Sequence, residues 1–364
     1  MKCCALLLLT IGMVSAADLN AIFAPLVDTR SPGLAVLVRQ KGRTIFERGY
    51  GVRDLRSLAR IDAKTCFRLA SSTKQFTAMS IMLLVHDGKL GYGDRLTDIF
   101  PEFPAYGRAI TVRHLLTHTS GLRDYEELMD GGPWTAERQI QDDEVLHLLE
   151  QQDAGKFRSG SSWSYSNSGY VLLGMIVARR SGETFPQFLQ ERIFVPLHMR
   201  DTLAYVKGVN TVRNRAYGHT RAGGRFVETD QSPTSATLGD GGVYSNLGDL
   251  AKWDAALAGH ALLPESDMRA ALTPVTLNDG AEPHWPVQPN DDNLHPGKPV
   301  AYGFGWFLDP YRGHPRMWHT GSTIGFRTVI ERFTREDLTV VILCNRTDLE
   351  PDNLALKVYD ALNP

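Results

Sequence analysis

Cysteine is scarce in this chain. Its 364 residues hold four, and Cys3 and Cys4 stand at the very start, leaving Cys66 and Cys344 for the body of the protein. That excludes a disulfide-stapled scaffold, and a chain of this size buries enough core to do without one. An exported protein could bridge the remaining pair, but each cysteine lies beside an apolar run, which favours two buried free thiols. Long hydrophobic runs are missing too: none reaches the roughly 20 residues a spanning helix requires. There is no basic stripe, and the net charge is −2, so nucleic acid and anionic membrane surfaces are excluded as partners. No internal repeat argues for a solenoid. No Gly-x-Ser-x-Gly elbow argues for an α/β-hydrolase, and no glycine-rich phosphate loop follows a strand.

What is present is the composition of an ordinary globular protein, 43% hydrophobic and 22% charged,. The N-terminus reads as an export signal: Lys2 gives a positive start, Ala5 to Val14 is a short apolar run, and Val14-Ser15-Ala16 offers small residues for cleavage. Residues 1–16 are therefore expected to be a signal peptide cut after Ala16. The mature chain, 17–364, would be secreted or periplasmic, with no integral membrane segment.

Strand signals gather at both ends. Leu34 to Val38 and Thr44 to Tyr50 flank Gln40-Lys41-Gly42-Arg43, the pattern of a hairpin. Tyr302 to Leu308, Arg316 to His319, Phe326 to Phe333 and Leu338 to Cys344 form a second strand series, followed by a helical stripe over Asn353 to Leu362. The middle is mostly helical: Lys74 to His86, Val112 to Thr117, Asp143 to Gln151, Tyr170 to Arg180, Phe185 to Ile193 and Leu247 to Ala258. Asp279 to Pro299, rich in Pro, Asn and Asp, reads as a loop. The pattern predicts an α/β (α+β) fold forming a single domain. An antiparallel sheet built from both termini (17–70 and 300–364) is flanked by helices, and a mainly helical lobe (71–299) is inserted, with a cleft between.

Three short segments carry chemistry. In Ser71-Ser72-Thr73-Lys74, an amine one helical turn from a hydroxyl can activate it as a nucleophile, provided burial leaves the amine partly neutral. Ser71 is the only serine followed by lysine at this spacing. At a helix N-terminus it would also sit among N–H groups that favour negative charge. In Tyr165-Ser166-Asn167, a tyrosine able to shuttle a proton precedes an asparagine able to hydrogen-bond a substrate carbonyl, given an extended backbone. In His319-Thr320-Gly321-Ser322, a strand ending in Thr-Gly can offer backbone N–H groups. That of Ser322 could pair with that of Ser71 as an oxyanion hole.

Together, in this order, these segments resemble the serine β-lactamase and penicillin-binding protein superfamily. The resemblance is strongest to the class C β-lactamase-like group, which includes D-aminopeptidases, D-Ala-D-Ala carboxypeptidases and esterases. Phe67-Arg68-Leu69-Ala70, the TVRHLLTHTSGL stretch (111–122) and GDGGVYSNLGDLAKW (239–253) extend it over nearly the whole mature chain. It implies a β-lactamase/transpeptidase-like fold and a cofactor-free serine hydrolase. Ser71 would be acylated, Lys74 and Tyr165 would move protons, and Asn167, His319, Thr320 and Gly321 would bind substrate.

One departure bears on specificity. Relatives that act on β-lactams carry lysine where this chain has His319, and an imidazole lacks lysine's steady charge. The expectation is therefore a hydrolase of short peptides, D-amino-acid amides or small esters. The alternatives are a true β-lactamase, or a penicillin-binding sensor of wall peptides that acylates without turnover. His114 and His118 stand four apart, a spacing known from metal pairs, but no glutamate follows His114 and no third ligand is evident. No metal is expected. Asp240 and its glycines are read as shaping a tight loop, and Tyr302, Phe304, Trp306 and Trp318 as sheet and core residues.

Overall fold

The computed structural model describes residues 16–288 and 295–363. The expected signal segment, apart from Ala16, and the middle of the 279–299 loop lie outside the described residues. Strands β1 (Leu34–Gln40) and β2 (Arg43–Tyr50) form the expected hairpin, and β3 (Arg316–Thr323), β4 (Phe326–Phe333) and β5 (Leu338–Cys344) come from the far end of the chain. They make one antiparallel sheet in the order β2-β1-β5-β4-β3. The joint between the termini is β1 on β5, Leu34 opposite Cys344 and Gln40 opposite Leu338.

Both faces of this joint are covered, which is why its strands read as near-continuous apolar runs rather than alternating ones. Leu34, Val36, Val38, Val340 and Ile342 face a layer made by α1 (Ala16–Phe23) and the C-terminal helix α5 (Pro351–Leu362), with Phe23, Leu354 and Val358. Ala35, Leu37, Val341 and Leu343 face the opposite way, into the main core shared with the helical lobe. There α2 (Lys74–His86) is buried on nearly every side and packs on α3 (Asn167–Ser181), with Phe76 against the Trp253 ring of α4 (Leu247–Ala258). Each fully buried side chain of this kind contributes about 1.5–3 kcal/mol.

Three features depart from the expectation. Tyr302 to Leu308 alternates in sequence but is not a strand. Gly305 has φ +75°, and Gly303 N–H donates to Trp306 O, so the segment doubles back with Tyr302 opposite Phe307. β3 does not end at His319 but runs through Gly321 to Thr323. The central lobe also holds small sheets, Phe67–Arg68 with Val243–Ser245 and Leu203–Ala204, and a separate hairpin of His219–Ala222 with Arg225–Glu228. Cys66 and Cys344 are both buried and free, in separate apolar clusters. No helix among the described residues is long and apolar enough to cross a membrane.

Candidate active site

The Ser71 segment is anchored before its helix begins. Phe67 and Arg68 pair with Ser245 and Tyr244, and Leu69 N–H donates to Val243 O at 2.8 Å. Ala70 then takes φ +48°, a left-handed conformation that costs a non-glycine residue about 1 kcal/mol and is kept only where its surroundings impose it,. The chain turns through a 3-10 segment, Ala70–Thr73, directly into α2. Ser71 is thus one turn ahead of the α-helix proper rather than within it, and half-buried.

Lys74 is wholly buried. Its Nζ lies 3.1 Å from Ser71 Oγ, 2.8 Å from Asn167 Oδ1 and 3.0 Å from Asp240 O. It also stands 4.8 Å from the centre of the Tyr165 ring. Two of these three oxygens, a carbonyl and an amide oxygen, can only accept, whereas the hydroxyl can also donate. When Lys74 is neutral, its two N–H groups therefore go to Asn167 and Asp240, and its lone pair is left facing Ser71.

Ser166 is extended, as the spacing of Tyr165 and Asn167 requires, and its side chain accepts from Gly169 N–H to start α3. Asn167 N–H donates to Asp124 Oδ2 at 2.9 Å. With Oδ1 taken by Lys74, the Asn167 amide keeps its NH2 for other partners. Ser71, Asn167 and Ser322 line one cavity of about 240 Å³ together with Arg68, Tyr125, Glu126, Thr237, Asp240, Gly241 and Thr323.

The β3 end meets this site differently from expectation. Gly321 packs so closely on the Ser71 turn that a Cβ there would stand 2.0 Å from Leu69 O and 2.3 Å from Thr328 Oγ1. Thr328 Oγ1 donates to Leu69 O at 2.9 Å, and Ser72 Oγ donates to His319 O at 3.3 Å. The His319 side chain lies behind the cavity, 2% exposed. Its Nδ1 donates to Thr320 O at 2.6 Å, because a carbonyl only accepts, and its Nε2 then accepts from Tyr302 O–H at 3.1 Å. Burial, then the charge of Lys74, pushes this imidazole down to about 3, against the pull of the Thr320 carbonyl. His319, Thr320 and Gly321 do not line the cavity; Ser322, Thr323 and Ile324 do.

His114 and His118 do not share a helix face. The helix Val112–Leu116 ends between them, His114 closes a capping box with Thr111, and His118 has φ +59°. Sequence reasoning missed Arg68, Tyr125 and the role of Asp240. Asp240 contributes its carbonyl to Lys74, and its Oδ2 accepts from Tyr125 O–H at 3.0 Å. The run 239–253 was singled out as a block, and the tight glycine turn within it was the available signal.

The family model described as Beta-lactamase matches residues 19–363, and the chain belongs to that family, within the serine β-lactamase and penicillin-binding protein superfamily. It is a serine hydrolase of the β-lactamase-related kind. Among curated proteins it is 29% identical over 357 residues to penicillin-binding protein 4* of Bacillus subtilis (strain 168), covering 94% of this chain and 74% of that one. It is 27% identical to a D-aminopeptidase of Gluconobacter oxydans (strain 621H), covering 86% of this chain and 56% of that one. Among solved structures, the D-amino acid amidase of Ochrobactrum anthropi SV3 aligns with TM-score 0.76 and 25% identity, covering 95% of this chain and 97% of that one. The octameric penicillin-binding protein homologue of Pyrococcus abyssi aligns with TM-score 0.79 at 24% identity, covering 95% of this chain and 77% of that one, a likeness of fold.

Proposed function

We propose that the protein is an exported hydrolase that cleaves short peptides, D-amino-acid amides or small esters through an acyl-enzyme at Ser71. The observation that carries this reading is the buried Lys74 amine 3.1 Å from Ser71 Oγ, with acceptor-only partners on its other two sides. Neutral Lys74 takes the Ser71 proton as Oγ attacks the acyl carbon. The developing oxyanion is held by the N–H groups of Ser71 and Ser322, both of which belong to residues at the cavity,. Tyr165, whose ring lies beside Lys74, passes the proton to the leaving amine or alcohol. Water then attacks the acyl-enzyme with the same pair acting in reverse. Asn167 orients the substrate carbonyl.

The small, polar cavity and the names of the D-aminopeptidase and D-amino acid amidase relatives favour a short, polar acyl group. The inward, neutral His319 offers no steady charge to the carboxylate of a β-lactam. A panel of p-nitrophenyl esters and D-amino-acid anilides tests the substrate class, with nitrocefin run beside it. Turnover of the panel with slow or absent nitrocefin hydrolysis supports the proposal, and rapid nitrocefin turnover contradicts it. Export rests on residues 2–16, and N-terminal sequencing of secreted or periplasmic material should begin at Ala17.

A further inference from the structure

His118 is left without a part in the chemistry above, yet it is the residue that holds Tyr165. Its backbone carbonyl accepts from Ser164 N–H at 3.0 Å. Its Nδ1 accepts from Ser166 N–H at 3.1 Å. Between these two bonds its ring lies against the Tyr165 ring, centroids 4.3 Å apart and planes 34° apart. The residue before the phenol, the residue after it and the phenol ring are thus all gripped by one amino acid. The grip requires a left-handed backbone at His118, φ +59°, the kind of strain retained where the surroundings and the function demand it,.

We propose that His118 is a positioning residue for proton transfer, fixing the Tyr165 phenol beside Lys74 without touching substrate. Its side chain is 1% exposed and closed in by the rings of Trp163, Tyr170 and Tyr302, so no substrate reaches it. Because Nδ1 accepts a backbone N–H, the proton of the neutral ring sits on Nε2. The titratable groups around it are Lys74 from α2, Tyr165, Tyr170 from α3, Tyr302 and, across the Tyr165 ring, His319 from β3. Burial first, then the charges of Lys74 and His319, holds the imidazole well below its ordinary range. It is therefore a neutral scaffold at working pH, and no proton passes through it.

The inference rests on the proposed hydrolase mechanism, and two variants separate its parts. His118→Asn keeps an acceptor in the place of Nδ1 and tolerates positive φ, but removes the ring. His118→Phe keeps a ring and orphans the buried Ser166 N–H. Kinetics on a p-nitrophenyl ester the enzyme turns over would be run on wild type, Ser71→Ala and both variants, with circular dichroism to establish folding. The expected result for His118→Phe is a kcat loss of about a hundredfold, the scale of a 1 Å misplacement, with KM within about twofold. His118→Asn should recover to within about tenfold of wild type, with the pH–rate limbs at their wild-type midpoints.

If His118→Phe does not fold, a severalfold kcat loss in His118→Asn at unchanged KM supports the proposal, and wild-type kcat there overturns it. Wild-type kcat in a folded His118→Phe, an Asn variant no better than the Phe variant, loss expressed in KM instead of kcat, or a displaced pH limb in His118→Asn overturns the positioning role alone. Wild-type protein no faster than Ser71→Ala overturns both this inference and the mechanism beneath it.

Discussion

Acid should destabilise this protein through His319 in a way that one substitution removes. The ring is buried, bonded on both nitrogens and close to Lys74, and its pKa is pushed from 6.5 to about 3. Between those values the unfolded chain carries a proton on this imidazole that the folded chain refuses. The unfolded state binds more protons there, so stability rises with pH across the window. The contribution is fully present above pH 6.5 and is lost as pH falls toward 3. At about 1.4 kcal/mol per unit the whole window is worth on the order of 5 kcal/mol, and the step from about pH 7 to about pH 4.5 is worth about 2.5 kcal/mol. The other buried imidazole, His118, is held down in the same direction by burial first, then by the charges of Lys74 and His319, so only the part that His319 contributes survives in a difference between the two variants.

The perturbation is His319→Asn, which retains a donor for Thr320 O and does not titrate. Urea unfolding of wild type and variant at both pH values gives four stabilities. Losing the Tyr302 partner costs the variant equally at both, so only the titration survives in the double difference. Wild type should lose about 2.5 kcal/mol more than the variant on acidification. A double difference within about 0.5 kcal/mol of zero, the error of such measurements, refutes the buried neutral imidazole.

Other consequences are open to test. Lys74→Ala and Tyr165→Phe should each lower kcat at least about a hundredfold in steady-state assays with the fold unchanged by circular dichroism. Gly321→Ala places a methyl 2.0 Å from Leu69 O, so β3 must move off the Ser71 turn. A kcat loss of about a hundredfold is expected in a folded variant, and wild-type kcat would contradict the close approach. Burial pushes Cys66 and Cys344 up to about 12, so in the folded protein neither of these two thiols should react with an aromatic disulfide reagent near about pH 8 until urea is added. Reaction of either in the native state would contradict their burial.

The parts of this fold that were legible in the sequence are those written in local periodicity. The β1–β2 hairpin, β4, β5, α2 and α4 appear close to where apolar spacing puts them. The two ends of the chain join in one sheet through β1 and β5, each too apolar to face water. Tyr302 to Leu308 misled for the same reason: its alternating aromatics mimic a strand, while Gly303 and Gly305 fold it back on itself. The motifs picked out Ser71, Lys74, Tyr165 and Asn167, which the fold brings close to one another. Arg68 and Tyr125 reach the cavity through contacts far apart in sequence, such as Phe67–Arg68 on Tyr244–Ser245, and no local pattern announces those; for Asp240 the tight glycine turn was the local sign. The inward turn of His319 was equally hidden, since it depends on Tyr302 and on a strand that continues four residues past His319.

The claim on which the rest depends is that Ser71 is the activated nucleophile. The direct measurement is intact-mass and peptide-mass spectrometry after treatment with a fluorophosphonate, on wild type and Ser71→Ala in parallel. The account predicts one adduct per wild-type chain, carried on Ser71, and none on the variant. Labelling of Ser71→Ala to the same extent, or an adduct mapped to another residue of the wild-type protein, would contradict it.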